Sequence, residues 1–294
     1  MNANHPSRRQ AAPLDRDDGA RTGRPAESPL HDARAHAPAQ PSDKIRDFVG
    51  SLARGLSVLR SFDEDKPEMT LTEVAGRTGL TRAGARRFLL TLVELGYVRK
   101  NQRLFRLTPK VLELGYAYMA STPISRLSQP FLKQFADLTG ESCSVAVMDG
   151  DQVVYIARTP GKRFLRLGFH VGVRLPICYT SAGRMLIASG GEDTIDRYID
   201  GIHLQPMTRY SITGKSKLRG ELLKAWKQGY SMVDQELEEG LCSLSVPVCD
   251  AKNQVIAALN TAVNVAAVTK DTLLMKYLPL LRRAAEDIRD TLAA

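Results

Sequence analysis

The chain of 294 residues has no apolar run near the ~20 residues of a membrane-spanning helix. Its opening stretch, MNANHPSRRQ, has no apolar core of the kind a secretory signal needs. Both absences place the protein, as an expectation, in the cytoplasm. The four cysteines, Cys143, Cys178, Cys242 and Cys249, form no CxxC pair and have no histidine at metal-site spacing. That argues against a disulfide framework or a zinc site, and reads as reduced thiols. Of the five histidines, His5, His31 and His36 fall in a polar tail, which leaves His170 and His203. No G-x-S-x-G nucleophile elbow occurs. Gly214-Lys215-Ser216 imitates the end of a phosphate-binding loop, but Arg209 stands where that loop needs glycine. No internal repeat is found, and neither a cofactor nor a metal is expected.

Residues 1–43 contain no Phe, Trp, Tyr, Ile or Val and are rich in Ala, Pro, Arg and Asp. Such a segment cannot bury enough apolar area to offset its ordering entropy, so it is expected to be a disordered tail. What the chain has in excess is positive charge: 41 Lys and Arg against 32 Asp and Glu give a formal net charge of +9. A polyanionic partner suits that balance. The charge is also concentrated. Arg82, Arg86, Arg87, Arg99, Lys100, Arg103 and Arg106 occupy one short stretch in which Glu94 is the only acid.

The same region patterns as helices around a turn, followed by a strand hairpin. Leu52, Leu56, Leu59 and Phe62 mark an amphipathic helix that ends at residues 63–67. Thr70 or Thr72 caps a second helix with Leu71, Val74 and Ala75 inward, and Gly79 makes the turn. Thr81 caps a third helix running to about Leu95, with Ala85, Phe88, Leu89, Leu92 and Leu95 inward. Arg82, Arg86 and Arg87 are left outward near its start. Alternating residues 97–100 and 104–107, turning at Asn101-Gln102, read as a hairpin. One α-helix fits the major groove, and arginine suits both guanine edges and phosphate. The expected DNA contacts are therefore Thr81, Arg82, Arg86 and Arg87 on the helix, and Arg99, Lys100 and Arg103 on the hairpin.

Thr108-Pro109 starts another helix, whose apolar positions Val111, Leu112, Leu114, Tyr118 and Met119 cover much of its circumference. It is expected to pack on both halves of the chain or on a partner subunit. Thr122-Pro123 marks a boundary. Beyond it, helix is expected at residues 124–139, 181–189, 194–198, 215–228 and 269–292. Strands are expected at 142–148, 152–157, 164–169, 243–249 and 255–264. Strand pairs joined by short turns, with helices grouped around them, predict an antiparallel α+β fold.

In residues 172–184, GVRLPICYTSAGR, the run Thr180-Ser181-Ala182-Gly183 opens a helix just after Pro176. Backbone N–H groups at a helix start can hold a carboxylate, although an ordinary N-cap has the same spacing. Arg166, Arg174 and Arg184 are candidate charge partners. Residues 240–247, GLCSLSVP, alternate as a strand beside a cleft would. Glu236, Glu238 and Glu239 read as a solvated acidic loop, and Trp226 as core.

Five motifs in order, SLARGLSVLRSF, LTEVAGRTGLTRAGARRFLLTLVELGYV, FRLTPKVLELG, LPICYTSAGRMLIA, and the run from Gln235 through EGLCSLSVPV to ALN, carry a resemblance. From Phe48 onward the chain resembles the IclR family of bacterial transcriptional regulators. Its TRAGARRFLLTL segment is most similar to the branch controlling protocatechuate, 4-hydroxybenzoate and β-ketoadipate catabolism. The resemblance implies a winged helix-turn-helix DNA-binding domain (residues 44–107), a linker helix (108–121) and a GAF-like effector-binding domain (122–294). It also implies a homodimer or homotetramer on double-stranded operator DNA. A small organic acid effector would be lined by Leu167, Leu175, Ser181, Ala182, Leu241, Ser243, Asn260 and Ala262. The family often has His where this chain has Cys178, and Lys where it has Arg184.

The expected function is a ligand-responsive regulator of aromatic catabolism that senses an aromatic or dicarboxylic acid, and not an enzyme. The competing reading is a small-acid enzyme with an accessory nucleic-acid module, for which Cys178, Cys242 and His170 are the raw material. A structural nucleoid or RNA-binding protein is a third.

Overall fold

The computed structural model describes residues 47–162 and 169–293. The expected tail, residues 1–43, lies outside them. Helix α1, Gly50–Arg60, buries Val58 and delivers Phe62 to a small core. Leu52 and Leu56, expected inward, are exposed. Val58 and Phe62 enter the core and Leu59 packs against it, so the core side of α1 lies towards the end of the helix.

Strand β1, Glu68–Thr70, leads directly into α2, Leu71–Thr78. Thr70 closes a capping box: its hydroxyl accepts from Glu73 N, and the Glu73 carboxylate accepts from Thr70 N at 2.8 Å. Gly79 ends α2 at φ +66°, a left-handed position that favours glycine. Helix α3, Arg82–Glu94, is capped by Thr81 and inserts Ala85, Leu89 and Leu92 between α1 and α2. Leu95 lies past the end of α3 and is exposed, contrary to expectation. Strands β2, Val98–Asn101, and β3, Leu104–Leu107, form the hairpin. Asn101 pairs with Leu104, so the turn is Gln102-Arg103 and not Asn101-Gln102. β1 adds to the hairpin in the order β1-β3-β2.

A 3-10 turn, Pro109–Val111, precedes α4, Leu112–Ser121, in which no residue is buried. The single helix expected over residues 124–139 is two, α5 Pro123–Leu127 and α6 Gln129–Thr139. Pro130 has no N–H to continue the ladder across Ser128. The second sheet has β4 Ser142–Asp149, β5 Gln152–Thr159 and β6 Arg174–Pro176. After α7 Ser181–Ser189, α8 Glu192–Gly201 and α9 Lys215–Gln228 come β7 Ser231–Asp234, β8 Leu241–Cys249 and β9 Val255–Asn264. Helices α10, Lys270–Thr272, and α11, Leu278–Ala293, are joined by one π-helical turn.

The order is β6-β5-β4-β9-β8-β7, antiparallel throughout. The expected strand at 164–169 falls almost wholly outside the described residues. One sheet face presents Cys143, Val145, Leu244, Leu259 and Val263 to Leu132 and Phe135 of α6 and to Leu281 and Ile288 of α11. The opposite face is crossed by α7, which packs on β8, β9 and β4. α9 seals the layer through Leu218, Leu222 and Ala225, leaving Trp226 half exposed where core was expected. Among the described residues no helix is long and apolar enough to cross a membrane.

Candidate functional site

Two regions concentrate chemistry. On α3, Thr81, Arg82, Arg86 and Arg87 are all exposed, because the buried stripe Ala85, Leu89 and Leu92 takes the other side of the helix. Arg99, Lys100 and Arg103 are exposed on the hairpin, with the Lys100 ammonium 6.0 Å from the Phe105 ring centroid. Neighbouring cations are neutralised: Arg77 pairs with Asp63, Lys66 with Glu73, and Arg106 with Glu68. Among the described residues no carboxylate pairs with Arg82, Arg86, Arg87, Arg99 or Arg103. The result is a set of open guanidinium groups on one helix and one hairpin, suited to a polyanion.

The second region is the sheet face under α7. Strand alternation puts Leu241 and Ser243 of β8 on that face, beside Ala262 and Asn260 of β9. Leu175 of β6 joins them through its pairing with Val153. Ser181 and Ala182 open α7 above. Thr180 caps that helix, its hydroxyl accepting from Gly183 N at 3.1 Å. A side chain at Gly183 would stand 2.3 Å from Ile177 O, so glycine is what lets the helix start lie this close to the preceding turn. Strands β6, β8 and β9 and helix α7 thus bring all the expected ligand residues but one to a single layer. Leu167, the exception, lies outside the described residues, as does Arg166.

Ser144, Ser245, Tyr155 and Arg158 of this layer were not among the expected site residues. For Tyr155 and Arg158 a β-bulge explains it. Val145 pairs with Ala157 but Ala146 pairs with Tyr155, so Ile156 is an extra residue on β5. Simple alternation would send Tyr155 and Arg158, three apart, to opposite faces; the bulge puts both on one. Arg158, Ser144, Asn260 and Ser245 then form a cross-strand row over β5, β4, β9 and β8. Arg158 Nη1 donates to Ser144 Oγ at 3.0 Å, and Asn260 Nδ2 donates to Tyr155 Oη at 3.1 Å. Phe169 lies against both, 5.9 Å from the Tyr155 ring and 5.8 Å from the Arg158 guanidinium. Burial lowers the Arg158 pKa and raises that of Tyr155. No carboxylate among the described residues forms an ion pair with this arginine.

The layer also holds polar atoms that no described residue satisfies. Asn260 is 3% exposed and Ser181 1%, yet among the described residues Asn260 Oδ1, Ser181 Oγ and the neighbouring Ser142 Oγ have no hydrogen bond. A buried polar atom left so costs about 1–3 kcal/mol. Such groups are found where a ligand or water completes the set.

The other candidate cations are otherwise engaged. Arg184 is buried, its Nη1 and Nη2 donating to Glu236 at 2.8 and 2.7 Å and its Nε to Cys178 O at 2.7 Å. Glu236 therefore is no solvated residue: its carboxylate also accepts from Ile212 N at 2.9 Å. Arg174 is exposed and pairs with Asp149. Burial pushes the Cys178 thiol up to about 11 and the Cys242 thiol to about 12, so neither is a thiolate at neutral pH. Among the described residues no group of three or more His, Cys, Asp or Glu could hold a metal. Two open surface grooves, of about 420 and 370 Å³, lie along Gly220, Leu223 and Lys224 and along Gln129, Pro130 and Lys133. Neither has convergent buried polar groups, so the layer under α7 is the better site.

Comparison with known proteins finds relatives over most of the chain. Residues 51–102 match the IclR helix-turn-helix domain, and residues 116–290 match the bacterial transcriptional regulator IclR C-terminal family. The Pca regulon regulatory protein of Pseudomonas putida is 38% identical over 257 residues, covering 85% of this chain and 88% of that one. A solved structure described as a transcriptional regulator from Rhodococcus sp. RHA1 is 42% identical with a TM-score of 0.76, covering 83% and 98%. The inducer-binding domain of an Acinetobacter PobR double mutant, in complex with 3-hydroxybenzoic acid, is 30% identical with a TM-score of 0.53, covering 56% and 97%. This chain belongs to the IclR family of transcriptional regulators, with an N-terminal helix-turn-helix region and a C-terminal antiparallel-sheet effector domain.

Proposed function

We propose that this chain regulates genes of aromatic-acid catabolism, binding an operator as a homodimer or homotetramer and releasing or tightening its hold when a small organic acid binds. Helix α3 enters the major groove with Arg82, Arg86 and Arg87, and the hairpin sets Arg99, Lys100 and Arg103 on the flanking phosphates. Residues 44–107 act as the winged DNA-binding domain, 108–121 as the linker helix and 122–294 as the effector domain. The acid sits between the start of α7 and the sheet face that carries Leu175, Leu241, Ser243, Asn260 and Ala262.

One observation carries the reading: among the described residues Asn260 Oδ1 and Ser181 Oγ are buried without partners, on the sheet face and helix start that the family resemblance assigns to the effector. The Pca regulator of P. putida and the hydroxybenzoate complex of PobR support the aromatic-acid class. A thermal-shift screen of the full chain against aromatic and dicarboxylic acids tests it, since a ligand that prefers the folded state raises its apparent stability. A stabilising acid whose effect shrinks in Asn260→Leu is the expected result. Acids that stabilise the variant and the parent alike would mean the effector lies elsewhere.

A further inference from the structure

The row Arg158, Ser144, Asn260 and Ser245 is asymmetric, and its asymmetry specifies a ligand. At one end stands a half-buried guanidinium with one hydroxyl partner and no carboxylate partner among the described residues. One strand beyond Ser144 stands Asn260, whose amide nitrogen is used by Tyr155 and whose oxygen has no donor. A desolvated cation calls for an anion, and charge-assisted bonds of this kind are short and strong. An orphaned carbonyl oxygen calls for an O–H or N–H, which an ionised carboxylate does not have. The ring of Phe169, packed against Tyr155 and the Arg158 guanidinium, adds an aromatic surface.

We infer that Arg158, with Ser144, anchors the carboxylate of an aromatic monocarboxylic acid, and that Asn260 accepts a hydrogen bond from a ring hydroxyl of the same molecule. The inference rests on the effector site proposed above and narrows its ligand. A dicarboxylate is disfavoured, because Arg184 is consumed by Glu236 and Arg174 by Asp149. Its second anion would meet the acceptor Asn260 Oδ1 in place of a donor.

Calorimetric titration of the full chain with 3- and 4-hydroxybenzoate, benzoate, 4-hydroxybenzamide and adipate tests this. A hydroxybenzoate is expected to bind most tightly. Loss of the carboxylate charge in 4-hydroxybenzamide, or of the cation in Arg158→Gln, should weaken binding about 10–150-fold, the range for bonds to charged groups. Asn260→Leu should erase the preference for hydroxybenzoate over benzoate. The anchor is overturned if the amide binds as well as the acid, or if adipate binds more tightly than any hydroxybenzoate. Both of those outcomes leave the effector site standing. If none of the five compounds binds, this inference falls together with the effector reading beneath it. Should Arg158→Gln fail to fold, the ligand series on the unaltered chain decides alone.

Discussion

Single residues carry unequal weight in this fold. The Arg184–Glu236 pair is bidentate and nearly solvent-free, at 1% and 7% exposure. It ties the start of α7 to the segment before β8. Removing one partner strands a buried charge, which typically costs about 3–5 kcal/mol. Glu236→Ala is therefore expected to lower the urea midpoint of the effector domain by a corresponding amount; an unchanged midpoint would show the pair to be ornamental. Glu73 offers a pH test. The Thr70 backbone N–H, and then the Lys66 ammonium, hold its carboxylate at about 2, down from 4.5. A depressed folded pKa contributes stability above pH 4.5 that is lost as pH falls toward 2. Glu73→Gln should flatten that acid limb, modestly because the group is exposed, in a pH series of thermal melts.

Elements were legible in proportion to their length and periodicity. The helix-turn-helix declared itself through caps at Thr70 and Thr81, the left-handed Gly79 and apolar positions three to four apart. β1 and β6, of three residues each, are too short for alternation to register. The Ile156 bulge hid Arg158 and Tyr155, because an extra residue resets which side chains share a face. Arg184 was misjudged for a different reason: Glu236 is 52 residues away, and no local pattern links the two. The ligand positions on the sheet and at the start of α7 came from the resemblance, not from periodicity. At this scale α3 makes the sharpest prediction. Arg86→Ala and Arg87→Ala should weaken duplex binding and reduce the slope of log affinity against log salt by about 1 for each phosphate no longer neutralised. Parental affinity and slope in both variants would remove α3 from the interface.

At the scale of the whole molecule, one apolar element has no buried residue. α4 exposes Leu112 at 74% and Tyr116 at 72%, with Leu114, Tyr118 and Met119 beside them. Contiguous apolar surface of this kind marks an interaction face. A second copy of the chain is the expected occupant, as the resemblance implies. Leu112→Asp combined with Tyr116→Asp should reduce the mass measured by light scattering and weaken duplex binding together, since each half-site would then bind alone. An unaltered mass would place the subunit contact elsewhere.

Coupling between the two ends is the claim on which the account turns. It is measured most directly as the affinity of the full chain for a duplex selected from a randomised pool, at fixed salt, with and without saturating hydroxybenzoate. The predicted result is a change of about 5–150-fold, the span of ordinary allosteric coupling. Identical affinities, in a sample where calorimetry shows the acid bound, would contradict it.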